Sequence, residues 1–391
     1  MTARKIAEDI FAVGVNDFDR RLFDELIPLP EGTSYNSYLI KGSEKTALLD
    51  AVDPPKKEEL RNNINELGVK KIDYVICHHA EQDHSGAVPD VLEWFPEAKV
   101  VTNAKCKAFL IDLLQIPEDR FVVVADGEKL PLGGKTLEFI IAPWVHWPET
   151  MLSYLSEDKM LFPCDLFGSH LATTKLYAEE ECEVYTSAKR YYAEIMMPFR
   201  SAIKGHLDKL AKYEIKMICP SHGPIYKNPK FIIDAYADWV SDNVKAQVVL
   251  PYVSMHGSVQ KMVEYFTGEL ERLGMEVKPF NLPKTDIGEL AMSLVDASTI
   301  VVGASAVLAQ AHPQAVYAAY LANALRPKTK YISLIGSFGW GAKLAETITG
   351  LITNLKAEIL EPVVIKGYPK EGDFARIKEL AGVITERNKN I

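Results

Sequence analysis

The chain has 391 residues, 48% of them hydrophobic, and a formal net charge of -9. That length exceeds what one core usually serves, so two domains are expected. The acidic balance, with no basic patch in either half, disfavours nucleic acid and anionic membranes as partners and leaves a small protein or a cofactor.

Met1 to Val13 carries Arg4, Lys5, Glu8 and Asp9 and lacks an apolar core of signal-peptide length, and no later run is long enough to span a bilayer. Cys77, Cys106, Cys164, Cys182 and Cys219 are scattered without a Cys-x-x-Cys pair, which argues against an iron–sulfur module or a zinc ribbon and fits a reducing compartment. A cytoplasmic protein is expected. Cys77, Cys164 and Cys219 lie in apolar runs and read as buried strand residues.

Ser37 to Ile40 and Thr46 to Asp50 read as a hairpin around Lys41-Gly42-Ser43. Helical periods follow at Pro55 to Leu67, Ala87 to Trp94 and Ala104 to Leu114. Leu130 to Ile141 contains Leu132-Gly133-Gly134-Lys135, a turn between alternating strands, and Thr186 to Leu210 is again helical in period. Beyond about Val244 strand and helix alternate regularly. Strands are expected at Gln247 to Val253, Glu276 to Asn281, Ser298 to Ala304, Lys330 to Ile335 and Ala357 to Ile365. Helices are expected at Gln260 to Leu273, Ile287 to Leu294, Gln314 to Leu325, Ala342 to Leu355 and Asp373 to Arg387. Five βα units predict a doubly wound parallel sheet covered on both faces, and polar Asp238 to Lys245 marks the boundary between domains 1–245 and 246–391.

The densest chemistry is His79-Ala80-Glu81-Gln82-Asp83-His84, directly after the apolar strand Ile72 to Cys77. A loop at a strand end can gather such side chains around an ion. Three later strand ends each add one ligand type: His146 in Pro143-Trp144-Val145-His146-Trp147-Pro148, Asp165 in Phe162-Pro163-Cys164-Asp165, and His222 in Cys219-Pro220-Ser221-His222-Gly223. Taken singly, each would more often be a core histidine or a surface aspartate. Together they form a set sufficient for two metals. His78 neighbours His79 on a strand and so points to the opposite face, in a packed or surface role. His206 reads as a residue of a solvated helix.

This order of motifs resembles the metallo-β-lactamase superfamily, with one departure: Glu81 stands where its hydrolases have a second histidine. A carboxylate there adds negative charge and a harder donor, which suits iron cycling between two oxidation states better than zinc held as a Lewis acid. Glu81, Asp83 and Asp165 with one bridging hydroxide would balance two ferrous ions. With an appended flavodoxin-like domain, this is the pattern of the flavodiiron proteins. The resemblance covers essentially the whole chain, including Gly32-Thr33-Ser34-Tyr35-Asn36-Ser37-Tyr38-Leu39 and His146-Trp147-Pro148-Glu149-Thr150-Met151. It implies an α/β chain with an N-terminal metallo-β-lactamase-like αββα sandwich and a C-terminal flavodoxin-like domain. One iron would take His79, Glu81 and His146, and the other Asp83, His84 and His222, with Asp165 bridging. His170 resembles a histidine that orients ligands or substrate in some members. Many members have a histidine near the open metal positions where this chain has Phe23-Asp24-Glu25.

In the C-terminal half, the loop Ser254-Met255-His256-Gly257-Ser258 with Val259 lies between a strand and a helix, an arrangement that holds a phosphate at a helix N-terminus. The first strand unit of such a sheet meets its ligand beyond the strand C-termini, which makes FMN the leading candidate. Two more loops would wrap the flavin. One is Ser305, Ala306 and Val307 within Ala304 to Leu308, where the family usually has a Ser-Pro-Thr-like stretch. The other is Gly336-Ser337-Phe338-Gly339-Trp340-Gly341, with Phe338 or Trp340 able to stack on a ring. No Gly-x-Gly-x-x-Gly turn supports NAD. The resemblance implies reduction of O2 to water and/or NO to nitrous oxide, with electrons from rubredoxin, another small electron donor or a reduced deazaflavin. It also implies a head-to-tail homodimer or a dimer of dimers. Two rivals stay open: a zinc hydrolase with a regulatory flavodoxin-like domain, and a non-catalytic redox relay or sensor.

Overall fold

Alternation along the first strands decides which core each side chain joins. In Tyr38–Lys41, Thr46–Leu49, Tyr74–Ile76 and Lys99–Thr102, the residues Leu39, Leu48, Val75 and Val100 face one way, into a core with Leu60, Ile64, Val88, Val91, Cys106 and Leu110 of three helices. Their neighbours Tyr38, Ile40, Leu49, Ile76 and Val101 face the other way, onto Leu137, Phe139, Met151, Leu155 and Phe162 of a second sheet. The computed structural model describes residues 2–179, 181–341 and 343–391. These fall into two compact units, Met1–Tyr192 with Phe199–Val240 and Ala193–Pro198 with Ser241–Ile391.

The first unit is an αββα sandwich. Its seven-stranded sheet runs Arg4–Ala7, Ile10–Ala12, Tyr38–Lys41, Thr46–Leu49, Tyr74–Ile76, Lys99–Thr102, Phe121–Val123. Its five-stranded sheet runs Lys129–Pro131, Thr136–Ile141, Met151–Leu155, Met160–Phe162, Met217–Ile218. The hairpins expected at 37–50 and 130–141 are present with antiparallel register, at 38–49 and 129–141. The expected helix Thr186 to Leu210 is interrupted: Glu181–Tyr191 and Arg200–Leu210 are α-helical, and between them lie a π stretch, Tyr192–Met196, and a 3-10 turn, Met197–Phe199. Pro198 explains the break, because it offers no N–H and its ring meets the preceding turn.

The second unit is a parallel sheet in the order Glu276–Asn281, Lys245–Tyr252, Ala297–Val307, Tyr331–Phe338, then Glu358–Ile359 and Val363–Lys366. Numbered along the chain this is 2-1-3-4-5, the flavodoxin-like order. Val248, Leu250, Val301 and Ile335 pack with Val259, Met262, Phe266, Ile377 and Ile384 of the helices Ser258–Arg272 and Glu371–Asn388 on one face. Three departures from expectation have local causes. The fifth strand is split, with Pro362, which has no N–H to pair, between its two pieces. The fourth helix is shorter, Leu344–Leu351, and Ala342 lies outside the described residues. The third strand runs on past the expected loop to Val307 and turns through Leu308 and Ala309 to pair with Gln310–Ala311. Among the described residues no helix is long and apolar enough to cross a membrane.

Candidate metal centre

The strand Tyr74–Ile76 delivers His78 and His79 to opposite sides. His78 is buried: its ring bonds Asp50 Oδ2 at 2.7 Å and Ser153 Oγ at 2.6 Å, and its N–H donates to Asp50 Oδ1 at 2.9 Å. It is a packed residue. Just past His79 the short helix Gln82–Ser85 turns Asp83 and His84 inward. The ends of Thr136–Ile141, Met160–Phe162 and Met217–Ile218 then bring in His146, Asp165 and His222.

Asp165 divides these side chains into two groups. Its Oδ2 lies 3.7 Å from His79 Nε2 and 3.8 Å from His146 Nε2, and both nitrogens lie 3.1 Å from Glu81 Oε2. Its Oδ1 lies 3.1 Å from His84 Nε2 and 3.3 Å from His222 Nε2. These two nitrogens stand 3.4 and 3.2 Å from the two Asp83 oxygens. Both Asp83 oxygens and His84 Nε2 are buried without a hydrogen-bond partner. Such atoms are costly unless something between them accepts their lone pairs, and a cation does so. The donor set therefore fits two metal ions, one on each side of Asp165.

Electrostatics lead to the same conclusion. Burial alone would raise Asp165, but His84, His222 and His79 outweigh it and hold the carboxyl well below the usual range. Burial would likewise raise Glu81, yet His146 and His79 pull it strongly down. Burial would lower His222, yet Asp165 and Asp83 push it up to about 10, and Glu149, Glu81 and Asp165 raise His79 against the same penalty. The carboxylates demand positive charge, which in metal-free protein must come as protons on the imidazoles.

Several supporting residues escaped the sequence reading. Glu149 Oε1 accepts from His79 Nδ1 at 2.7 Å, which leaves Nε2 as the ligating nitrogen. His222 Nδ1 donates to Ser34 O at 2.6 Å, Gly223 N–H to Ser34 Oγ at 2.7 Å, and Asn36 Nδ2 to Pro220 O and Gly223 O at 2.8 and 2.7 Å. The Gly32-to-Leu39 segment thus clamps the His222 loop. The Tyr191 hydroxyl donates to Asp165 Oδ1 at 2.8 Å. Ser34 and Glu149 lie in the stretches 32–39 and 146–151 that carry the family resemblance, but no local signal marks their bonds, because the partners lie far away in sequence.

His170 belongs to neither group. Its Nδ1 bonds Thr33 Oγ1 at 2.9 Å, and its ring lies 5.1 Å from His222 and 5.2 Å from Phe23. Burial first, then the His222 charge, keeps it neutral. Asp24, next to Phe23, is on the exposed rim, and burial with the nearby Glu81 and Asp83 charges raises its carboxyl. His206 is half-buried rather than solvated, its Nε2 bonded to Pro143 O at 2.9 Å.

In the second unit the register pairs Tyr252 with Gly303 and Ser305 with Ser337, so residues 254–259, 305–311 and 338–341 share one edge of the sheet. Gly257 has φ +87° at the N-cap of Ser258–Arg272, and a Cβ there, or at Gly339 or Gly341, would meet nothing within 4 Å. This edge fits a phosphate at a helix N-terminus and a planar group approaching backbone. Three expectations change. Val259 turns its side chain into the core, so only its amide can face a phosphate. Ser305, Ala306 and Val307 are strand residues, with Ser305 Oγ donating to Val253 O at 3.1 Å. Ser337 Oγ donates to Gly367 O at 2.6 Å. Ser254 Oγ accepts from Gln260 N–H at 3.0 Å, while Met255, His256 and Trp340 are exposed.

Residues 33–223 match the family described as "ODP family beta lactamase". The chain is 34% identical over 98% of both lengths to the nitric oxide reductase of Moorella thermoacetica. It superposes with a TM-score of 0.95 at 27% identity on the rubredoxin oxygen:oxidoreductase of Desulfovibrio gigas, covering 100% of this chain and 99% of that one. The flavodiiron protein of Giardia intestinalis gives a TM-score of 0.89 at 26% identity, covering 99% and 98%.

Proposed function

Because this chain belongs to the flavodiiron protein family, we propose that it reduces O2 to water, NO to nitrous oxide, or both, drawing electrons from an external donor. The observation that carries this reading is the division of one buried carboxylate, Asp165, between two groups of donors, one of them holding Glu81 in place of an imidazole. When bound, the iron pair supplies one-electron redox storage at the substrate, and FMN supplies the exchange between two-electron and one-electron carriers. His79, Glu81 and His146 would hold one iron and Asp83, His84 and His222 the other, with the Asp165 carboxylate lying between the two groups. Glu81, Asp83 and Asp165 supply the hard anionic oxygens that favour iron over zinc. The relatives named above are oxidoreductases, which removes the ground for the zinc-hydrolase alternative.

Around this set the chain's own residues fix geometry and exclude water. Glu149 and Ser34 hold the tautomers of His79 and His222, Tyr191 anchors Asp165, and neutral His170 packs beside His222. Asp24 sits on the rim near Glu81 and Asp83, where it faces incoming substrate. FMN would bind at the edge formed by Ser254, Met255, His256, Gly257, Ser258, the Val259 amide, the ends of the strands at Ser305 to Val307 and Gly336 to Phe338, and Gly339 to Gly341. The donor is rubredoxin or a similar small redox protein, in keeping with the name of the Desulfovibrio gigas relative. The chain works in the cytoplasm as a head-to-tail homodimer, the flavin of one copy facing the metal centre of the other. The deciding experiment is metal analysis with the visible spectrum of protein purified without oxygen, followed by stopped-flow mixing with O2 and NO. About two irons and one FMN per chain are expected, and zinc without flavin would overturn the reading.

A further inference from the structure

Glu149 is buried and uses one oxygen twice: Oε1 accepts from His79 Nδ1 at 2.7 Å and from Ala80 N–H at 3.1 Å. Its Oε2 is buried with no hydrogen-bond partner, and among the described residues no lysine or arginine pairs with it. A buried anion left without a cation is strongly unfavourable, so the charge that offsets it has to arrive through His79. The other half of the centre is built differently. His222 Nδ1 gives its proton to a neutral carbonyl, Ser34 O, and the Asp165 oxygen on that side also accepts from the Tyr191 hydroxyl, which draws electron density away from the metal. The remaining acids near that half form no hydrogen bond to its imidazoles, although the charge of buried Asp50 is felt at His84. Asp50 gives both oxygens to His78, Asp53 meets Tyr35 Oη at 3.3 Å and Arg20 at 3.5 Å, and Asp24 is exposed.

We propose that Glu149 is a positioning residue that makes the two irons unequal, lowering the reduction potential of the iron on His79 so that this iron is the last to be reduced and the first to be oxidised. The inference rests on the di-iron reading above. A carboxylate hydrogen-bonded to Nδ1–H makes Nε2 a stronger donor, which stabilises Fe3+ over Fe2+. The step concerned is a one-electron transfer from a reduced flavin: ferric ion at His79 becomes ferrous, no bond breaks, and the Nδ1 proton stays in place. Order of reduction is thereby set by the protein and not by chance.

The test is an EPR-monitored redox titration of the iron-loaded, full-length protein and its Glu149→Gln variant, with iron counted in both. Gln keeps an acceptor for His79 and removes the charge. The second one-electron step should shift upward more than the first, so that the mixed-valence signal spans a narrower range of potential. With two irons bound, an unchanged range or an equal shift of both steps overturns the proposal. If Glu149→Gln loses iron, Glu149→Asp, which keeps the charge, decides: a range like the wild type supports the assignment and a narrowed one overturns it. Wild-type protein loaded natively with zinc would instead refute the underlying di-iron reading.

Discussion

Glu81 is the side chain on which the choice of metal turns, because its Oε2 stands 3.1 Å from two imidazole nitrogens at once. Replacing it by His, Glu81→His, should move the purified metal content from iron toward zinc and abolish O2 reduction; retained iron with activity would contradict this account. Protons on the ligand histidines give a second prediction. With His222 up at about 10 and His79 raised, these two imidazoles carry protons in the metal-free protein and must lose them to bind. Anaerobic loading with Fe2+ should therefore release protons, and affinity should climb with pH until it passes about 10. Calorimetry in buffers of different protonation heat reads the release directly, and a heat independent of buffer would refute it. Behind the ligands, Asp50→Ala strips His78 of two hydrogen bonds and should cost about 1–3 kcal/mol in a denaturant titration. The cluster was legible only as a set: the 79–84 run is followed by a histidine or aspartate at three later strand ends, and the fold brings them together. Glu149 was not, since nothing near it in sequence announces a bond to a histidine 70 residues away.

Among elements, the turn after His222 is tightly constrained. Gly223 has φ +80°, and a Cβ there would fall 2.0 Å from Ser169 Oγ. Gly223→Ala should displace the His222 loop and lower iron content from about two toward one per chain, measurable by metal analysis; full loading would show that the loop can yield. Hairpins and parallel strands were readable from alternation and turn residues, whose physics is local. Helix continuity was not: the 186–210 period continues through Pro198, but the backbone cannot. The extension of Ala297–Val307 was also hidden, because it depends on pairing with Gln310–Ala311 and not on residue type. Val259 shows the same limit at the flavin edge, where sequence position suggested a phosphate contact and packing sent the side chain inward.

For the whole molecule, two compact units with separate cores imply two separable stabilities. Chelating the metals should lower one calorimetric transition, that of the unit Met1–Tyr192 with Phe199–Val240, and leave the other in place; stripping flavin should do the reverse. A single transition responding equally to both treatments would mean the units unfold as one. The clamp on His222 has a further consequence. Its bond to Ser34 joins residues 188 apart, so this half of the centre cannot be assembled while the chain is still leaving the ribosome up to that point. Nascent chains carry His79, Glu81, Asp83 and His84 long before His222 appears. During that interval the open cluster is exposed to whichever ion is most abundant in the cell, and closing the clamp completes the set of donors that selects among them.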